Sequence, residues 1–67
     1  MNIKVNGELV VLNEHMSLSE VIDLYVKKDP TGIAVALNNK IIPKYKWESE
    51  PIGENDSVEI VHAVQGG

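Results

Sequence analysis

The residues best placed to do chemistry are the last two, Gly66 and Gly67, preceded by Val64 and Gln65. A terminal glycine carboxylate is a poor electrophile until it is joined to AMP as a mixed anhydride. Sulfide, a persulfide or an amine can then attack its carbonyl. Glycine suits such a handle because it has no Cβ. An extended Val64-Gln65-Gly66-Gly67 tail fits a narrow slot, and a partner's backbone can approach it closely. Taken alone, the diglycine is equally compatible with a linker scar or a frayed end.

The rest of the chain offers little competing chemistry. There is no Cys among the 67 residues, so a disulfide, a thiol nucleophile, a thiolate metal site and a persulfide on this chain are all excluded. Any sulfur carried must be held at the terminus. His15 and His62, without cysteine companions, do not make a convincing metal site. Ser17 reads as a helix cap rather than a nucleophile. Glu48 and Glu50 lack the apolar surroundings that a general acid–base pair needs. Asn6-Gly7 is a turn and not a phosphate loop. Asn55-Asp56-Ser57 matches a glycosylation acceptor but is read as a turn. No catalytic residue is expected and no metal or cofactor on this chain.

Composition narrows the class further. The formal net charge is -4 and arginine is absent, which argues against nucleic acid as a partner. Met1 leads directly into Ile3 and Val5, and no apolar run approaches the ~18 residues of a membrane span. A soluble cytoplasmic protein with no membrane partner is the expectation. Glu48, Glu50, Glu54, Asp56 and Glu59 are half of the ten acidic residues and cluster just before the tail. A solvated face is the favoured reading. The alternative is an acidic surface that steers the tail to a basic partner, with Glu59 and His62 as candidate contacts.

The elements that must position the tail follow from periodicity. Ile3 and Val5 alternate with Lys4, and Asn6-Gly7 signals a hairpin into Leu9-Val10-Val11-Leu12. A three-residue loop, opposing Val5 to Leu9 and Ile3 to Val11, keeps the apolar residues on one face and is the expected register. Ser17-Leu18-Ser19-Glu20 is a capping box that opens a helix to about Lys27. Its stripe is Leu18, Val21, Ile22 and Tyr25, widened by Leu24. Lys27 and Lys28 lie late in it, Asp29-Pro30 ends it, and Gly32 turns the chain.

Ile33-Ala34-Val35-Ala36-Leu37 does not alternate, which predicts a central strand buried on both faces. Asn38-Asn39 turns into a short edge strand around Lys40-Ile41-Ile42, limited by Pro43. Residues 44–55 are irregular, pinned by Tyr45, Trp47 and Ile52. Tyr45 and Trp47 are read as packing, with a role as partner anchors the alternative. Leu37, Ile41 and Ile42 are read as ordinary core, with an exposed patch on the sheet face the alternative. Asp56-Ser57 opens a last strand through Val58, Ile60 and Val61, running out via His62 and Ala63.

This order predicts an α+β fold, the ubiquitin-like β-grasp. It has a mixed sheet of four to five strands with one main helix on one face. The expected division is a β-grasp domain over 1–63 and a flexible tail over 64–67.

Three stretches resemble the ThiS family of sulfur carriers in thiamine thiazole biosynthesis. They are Ile3 to Glu8; Ile33 to Pro43 followed by Trp47; and Asp56 to Gly67, the most specific of the three. Asn38-Asn39 departs from the Asn-Gly pair common in the middle turn, although Asn tolerates the left-handed conformation. The resemblance implies a protein cosubstrate and not an enzyme. A ThiF-like adenylating enzyme, related to those that activate ubiquitin, would use ATP and magnesium to adenylate Gly67. Sulfur from a cysteine desulfurase or similar source would displace AMP, leaving a thiocarboxylate. A ThiG-like thiazole synthase would take up that sulfur. Gly66, Gln65 and Val64 would serve tail recognition. Other readings are a carrier for molybdopterin or tRNA thiolation, a ubiquitin-like modifier, and a β-grasp binding module with an incidental diglycine.

Overall fold

Asn6 and Gly7 both have positive φ, 52° and 85°. That is the two-residue turn whose twist matches a pair of antiparallel strands. In the computed structural model, which describes residues 1–26 and 32–62, it joins β1 (Asn2–Val5) to β2 (Glu8–Val11). The register is Val5↔Glu8, Lys4↔Leu9 and Ile3↔Val10, not the expected one. Turn geometry prevails over apolar matching. Val10 faces the core beside Ile3, while Leu9 and Val11 lie outside at 69% and 74% exposure.

Helix α1 (Leu18–Tyr25) starts at the predicted capping box. Ser17 Oγ accepts from Glu20 N at 3.3 Å, and Glu20 Oε1 accepts from Ser17 N at 2.9 Å. Leu18, Val21 and Ile22 are buried against the sheet. Leu24 and Tyr25 are not part of that stripe, at 47% and 43% exposure. An eight-residue helix turns only a narrow face inward. Val26 caps α1, its N–H donating to Ile22 O at 2.8 Å. The expectations for Lys27, Lys28 and Asp29-Pro30 lie outside the described residues. Gly32 has φ +83°, as its turn role requires.

Five strands form one sheet in the order β2-β1-β5-β3-β4, adding β3 (Ile33–Leu37), β4 (Lys40–Ile41) and β5 (Ser57–His62). β1 and β5 are parallel, and every other neighbouring pair is antiparallel. β2 and β3 therefore run in the same direction, as a crossover through α1 demands. This is the mixed sheet and single helix of the β-grasp. The central strand is β5, and β3 lies next to the β4 edge.

β3 is not buried on both faces. Val35 and Leu37 point into the core, while Ala34 is exposed and Ala36 half-buried on the helix-free face. Alanine is apolar but small, so a run containing it does not require cover. Asn38 and Asn39, φ 52° and 69°, make the turn into β4. Ile42 is buried, whereas Ile41 is 66% exposed, so one member of the expected core trio faces outward.

The segment after β4 contains a short 3₁₀ turn, Lys44–Lys46. Trp47 is its pin. Its ring is buried and Nε1 donates to Ile42 O at 2.8 Å. Ile52 packs half-buried against the core, but Tyr45 is 82% exposed and pins nothing. The core itself lies between α1 and one sheet face, formed by Ile3, Val5, Leu18, Val21, Ile22, Val35, Leu37, Ile42, Trp47, Val58 and Ile60.

Candidate functional site

β5 carries the chain toward the diglycine, and both neighbours hold it. On one side β3 pairs with it from Leu37↔Val58 to Ile33↔His62. On the other, β1 contributes Lys4↔Ser57 and Val5↔Val58 and then turns away. Asn6 extends that support beyond the end of β1. Its backbone N–H donates to Val58 O at 2.8 Å, and its Oδ1 accepts from Ile60 N at 2.8 Å. The side-chain amide thus takes the place of the next backbone carbonyl in the parallel ladder.

Asn6 therefore has two functions, a left-handed turn residue and an acceptor for β5. Asn6→Gly keeps the turn and removes the acceptor. It should destabilise the fold by about 1 kcal/mol and speed amide exchange at Ile60. Asn6→Asp keeps an acceptor and should restore protection. Equal exchange at Ile60 in all three proteins would refute this role.

Along β5, Val58 and Ile60 point inward, and Glu59 and Val61 point to the helix-free face. There Val61 lies opposite Ala34, Glu59 opposite Ala36, and Ala36 opposite Ile41. The result is a small-residue apolar strip, with Val61 59% and Ile41 66% exposed and the Glu59 carboxylate set in it. His62 shares the inward parity of Ile60 but is exposed at the end of the strand. Glu59 and His62 therefore sit close in sequence on opposite sides of the sheet. Val64, Gln65, Gly66 and Gly67, together with the boundary at residue 63, lie outside the described residues.

The acidic run is partly structural. Glu54 Oε1 accepts from Asn2 N at 3.0 Å. Asp56 accepts from Gly53 N at 2.7 Å and from Asn38 Nδ2 at 3.0 Å, and Asn38 Oδ1 accepts from Ser57 N at 2.9 Å. These bonds hold the loop before β5 to the β3–β4 turn. Asn55, φ 70°, lies in that loop as a turn residue. Among the described residues, no group of three His, Cys, Asp or Glu is arranged to hold a metal ion. None of their helices is long and apolar enough to cross a membrane.

The model of the ThiS family matches residues 1–67. The chain belongs to the ThiS family. A relative from Porphyra purpurea, "Uncharacterized protein ycf40", is 31% identical over 67 residues, spanning 100% of this chain and 93% of its own length. The crystal structure of a thiamine biosynthesis protein (ThiS) from Geobacter metallireducens has a TM-score of 0.85 to this ThiS-family chain, at 22% identity over 100% of both chains. A solution structure of a thiamine biosynthesis protein from the same organism has a TM-score of 0.77 at 20% identity, over 100% of this chain and 88% of its own. At these identities the two structures speak for the fold.

Sequence reasoning missed one part of this ThiS-family site and favoured the wrong reading of another. The Asn6–Ile60 bond joins residues 54 apart, and no local pattern marks it. In the Ala34–Ala36–Ile41–Val61 strip, Ile41 follows the less favoured reading, an exposed patch on the sheet face, and the non-alternating run of β3 was its signal.

Proposed function

We propose that this ThiS-family chain is a sulfur carrier protein for thiamine biosynthesis and not itself an enzyme. The observation that carries the reading is the family match, which runs through the terminal glycines to residue 67. The Gly67 carboxylate attacks the α-phosphorus of ATP on a ThiF-like adenylating enzyme, expelling pyrophosphate and leaving an acyl adenylate. The magnesium belongs to that enzyme's nucleotide. A sulfur nucleophile adds to the carbonyl and expels AMP. Sulfide gives the thiocarboxylate directly. A persulfide passed on from a cysteine desulfurase or similar source gives an acyl disulfide, which a thiol reductant cleaves to the thiocarboxylate and a disulfide. Gly67 is left as a thiocarboxylate, whose anionic sulfur a ThiG-like thiazole synthase consumes.

In this reading each part of the chain has a distinct task. Gly66 admits close approach to the reacting carbonyl because it has no Cβ. Val64 and Gln65 bind along the slot. The body presents Glu59, Val61, Ala34, Ala36 and Ile41 as one face and His62 at the strand end. An apolar strip with a carboxylate in it suits a partner that presents apolar side chains around a cation. β5, braced on both sides, gives the tail a fixed point of departure.

Intact mass after incubation with ATP and the host's adenylating enzyme tests the reading. An AMP adduct is expected, replaced on addition of a sulfur donor by the mass change of one oxygen-for-sulfur exchange. No mass change, in an assay where a known carrier is modified, would overturn it. Conjugates to lysines of other proteins on a denaturing gel would favour a modifier instead.

A further inference from the structure

Asn6 is the one asparagine of the chain's six that is followed by glycine. That pair carries a chemistry the carrier reading does not use. In an unconstrained chain, the backbone nitrogen after an asparagine can attack the side-chain carboxamide. Glycine in that position has no Cβ to obstruct the attack. Asn6 and Gly7 are both exposed, and a Cβ at Gly7 would meet nothing within 4 Å. Water and base therefore reach the pair freely.

The fold nevertheless holds the two reacting atoms apart. The Asn6 carboxamide oxygen accepts from Ile60 N at 2.8 Å, and Asn6 N donates to Val58 O at 2.8 Å. Asn6 and Gly7 sit at φ 52° and 85°. A turn of that type holds ψ of its first central residue at about +30°. Ring closure requires the Gly7 nitrogen to swing round to the side-chain carbon, and the carboxamide to leave Ile60. Attack thus waits on a local opening in which the turn and its bond to β5 come apart together.

We propose that Asn6 is a modification site guarded by the fold, and that its isoaspartyl product loosens β5 on the β1 side. The Gly7 nitrogen gives its proton to solvent and bonds to Asn6 Cγ. The carboxamide C–N bond breaks, and ammonia leaves with the proton returned. One water then opens the resulting cyclic imide at either carbonyl. Opening at Cγ gives aspartate, whose carboxylate still accepts from Ile60 N. Opening at the original backbone carbonyl gives isoaspartate. The main chain then runs through Cγ and is one carbon longer, and the former backbone carbonyl becomes a free carboxylate. The oxygen that held Ile60 is now a main-chain carbonyl in a turn of the wrong length. Asn6 thus turns a transient opening into a permanent loss of the brace.

The test uses the full chain in mildly alkaline buffer, either folded or unfolded by urea. Cleavage after Lys4 and Glu8 isolates residues 5–8, in which Asn6 is the only amide side chain. Intact mass of that fragment reads the amide-to-acid exchange, and selective enzymatic methylation reads isoaspartate. The unfolded chain should react at least about tenfold faster than the folded one. Equal rates, or no reaction in the unfolded chain, would overturn the guarded site. A chain synthesised with isoaspartate at position 6 measures the consequence. Its Ile60 amide should exchange at least about tenfold faster than in the parent, alone or with the rest of the sheet. Asn6→Asp should keep the parent's protection. Parent-like protection in the isoaspartyl chain, or an equal loss in Asn6→Asp, would overturn the loosening of β5.

Discussion

Deletion of Gly67 is expected to abolish sulfur loading and leave the stability of the fold unchanged. The deletion still leaves a glycine carboxylate, now on Gly66, so chemical type alone would predict residual activity. Position decides otherwise. The new carboxylate falls about 3.3 Å short along an extended chain. A misplacement of about 1 Å at a reacting centre already lowers rates by roughly a hundredfold. The body should not respond, because its core ends at Ile60 and its last strand at His62. Intact mass reads the loading, and circular dichroism under denaturant reads the fold. A folded deletion protein that still gains sulfur would refute the carrier assignment.

The second large effect falls on stability. Trp47→Ala removes the largest side chain in the core, a change that typically costs about 3–5 kcal/mol. It also takes the donor from Ile42 O. Total stability for a chain of 67 residues is roughly 3–10 kcal/mol at the usual per-residue value. The alanine variant should therefore lose about half or more of its stability, with a much lower urea midpoint. Trp47→Phe keeps most of the apolar volume and loses only the hydrogen bond, so about 1–3 kcal/mol is expected. Urea titration separates the two. Equal midpoints for the phenylalanine variant and the parent would show that the Ile42 bond contributes nothing.

Both predictions depend on features that the sequence reveals unequally. The capping box at Ser17 and Glu20, the left-handed turn at Asn38-Asn39 and the alternation of Val58 with Ile60 are local signals. Each appears in the fold where its pattern predicts it. The hairpin register was misread because the sequence pits two rules against each other. Matching Val5 to Leu9 satisfies apolar pairing, but Asn6-Gly7 closes the tighter turn and leaves Leu9 outside.

Tyr45 and Ile41 were misread for a related reason. Hydrophobicity indicates what a side chain prefers, while the position of the strand or turn determines which way it points. At the site, the diglycine and the strand leading to it were legible in the residues themselves. The brace from Asn6 to Ile60 was not, because it depends on a parallel pairing between the first and last strands.

The order of the strands has a consequence for how the protein is made. β1 pairs with β2, and β3 pairs with β4, but the two hairpins join only through β5. On the ribosome, a chain that has not yet released Ser57–His62 from the exit tunnel holds two separate ribbons, and isolated two-stranded hairpins are at best marginally stable in water. The sheet closes only once Ser57–His62 is free to pair with both β1 and β3. A prematurely terminated product lacking β5 has no way to assemble the body. Synthesis thus yields a folded body only in chains whose translation has reached the segment leading to the terminal glycines.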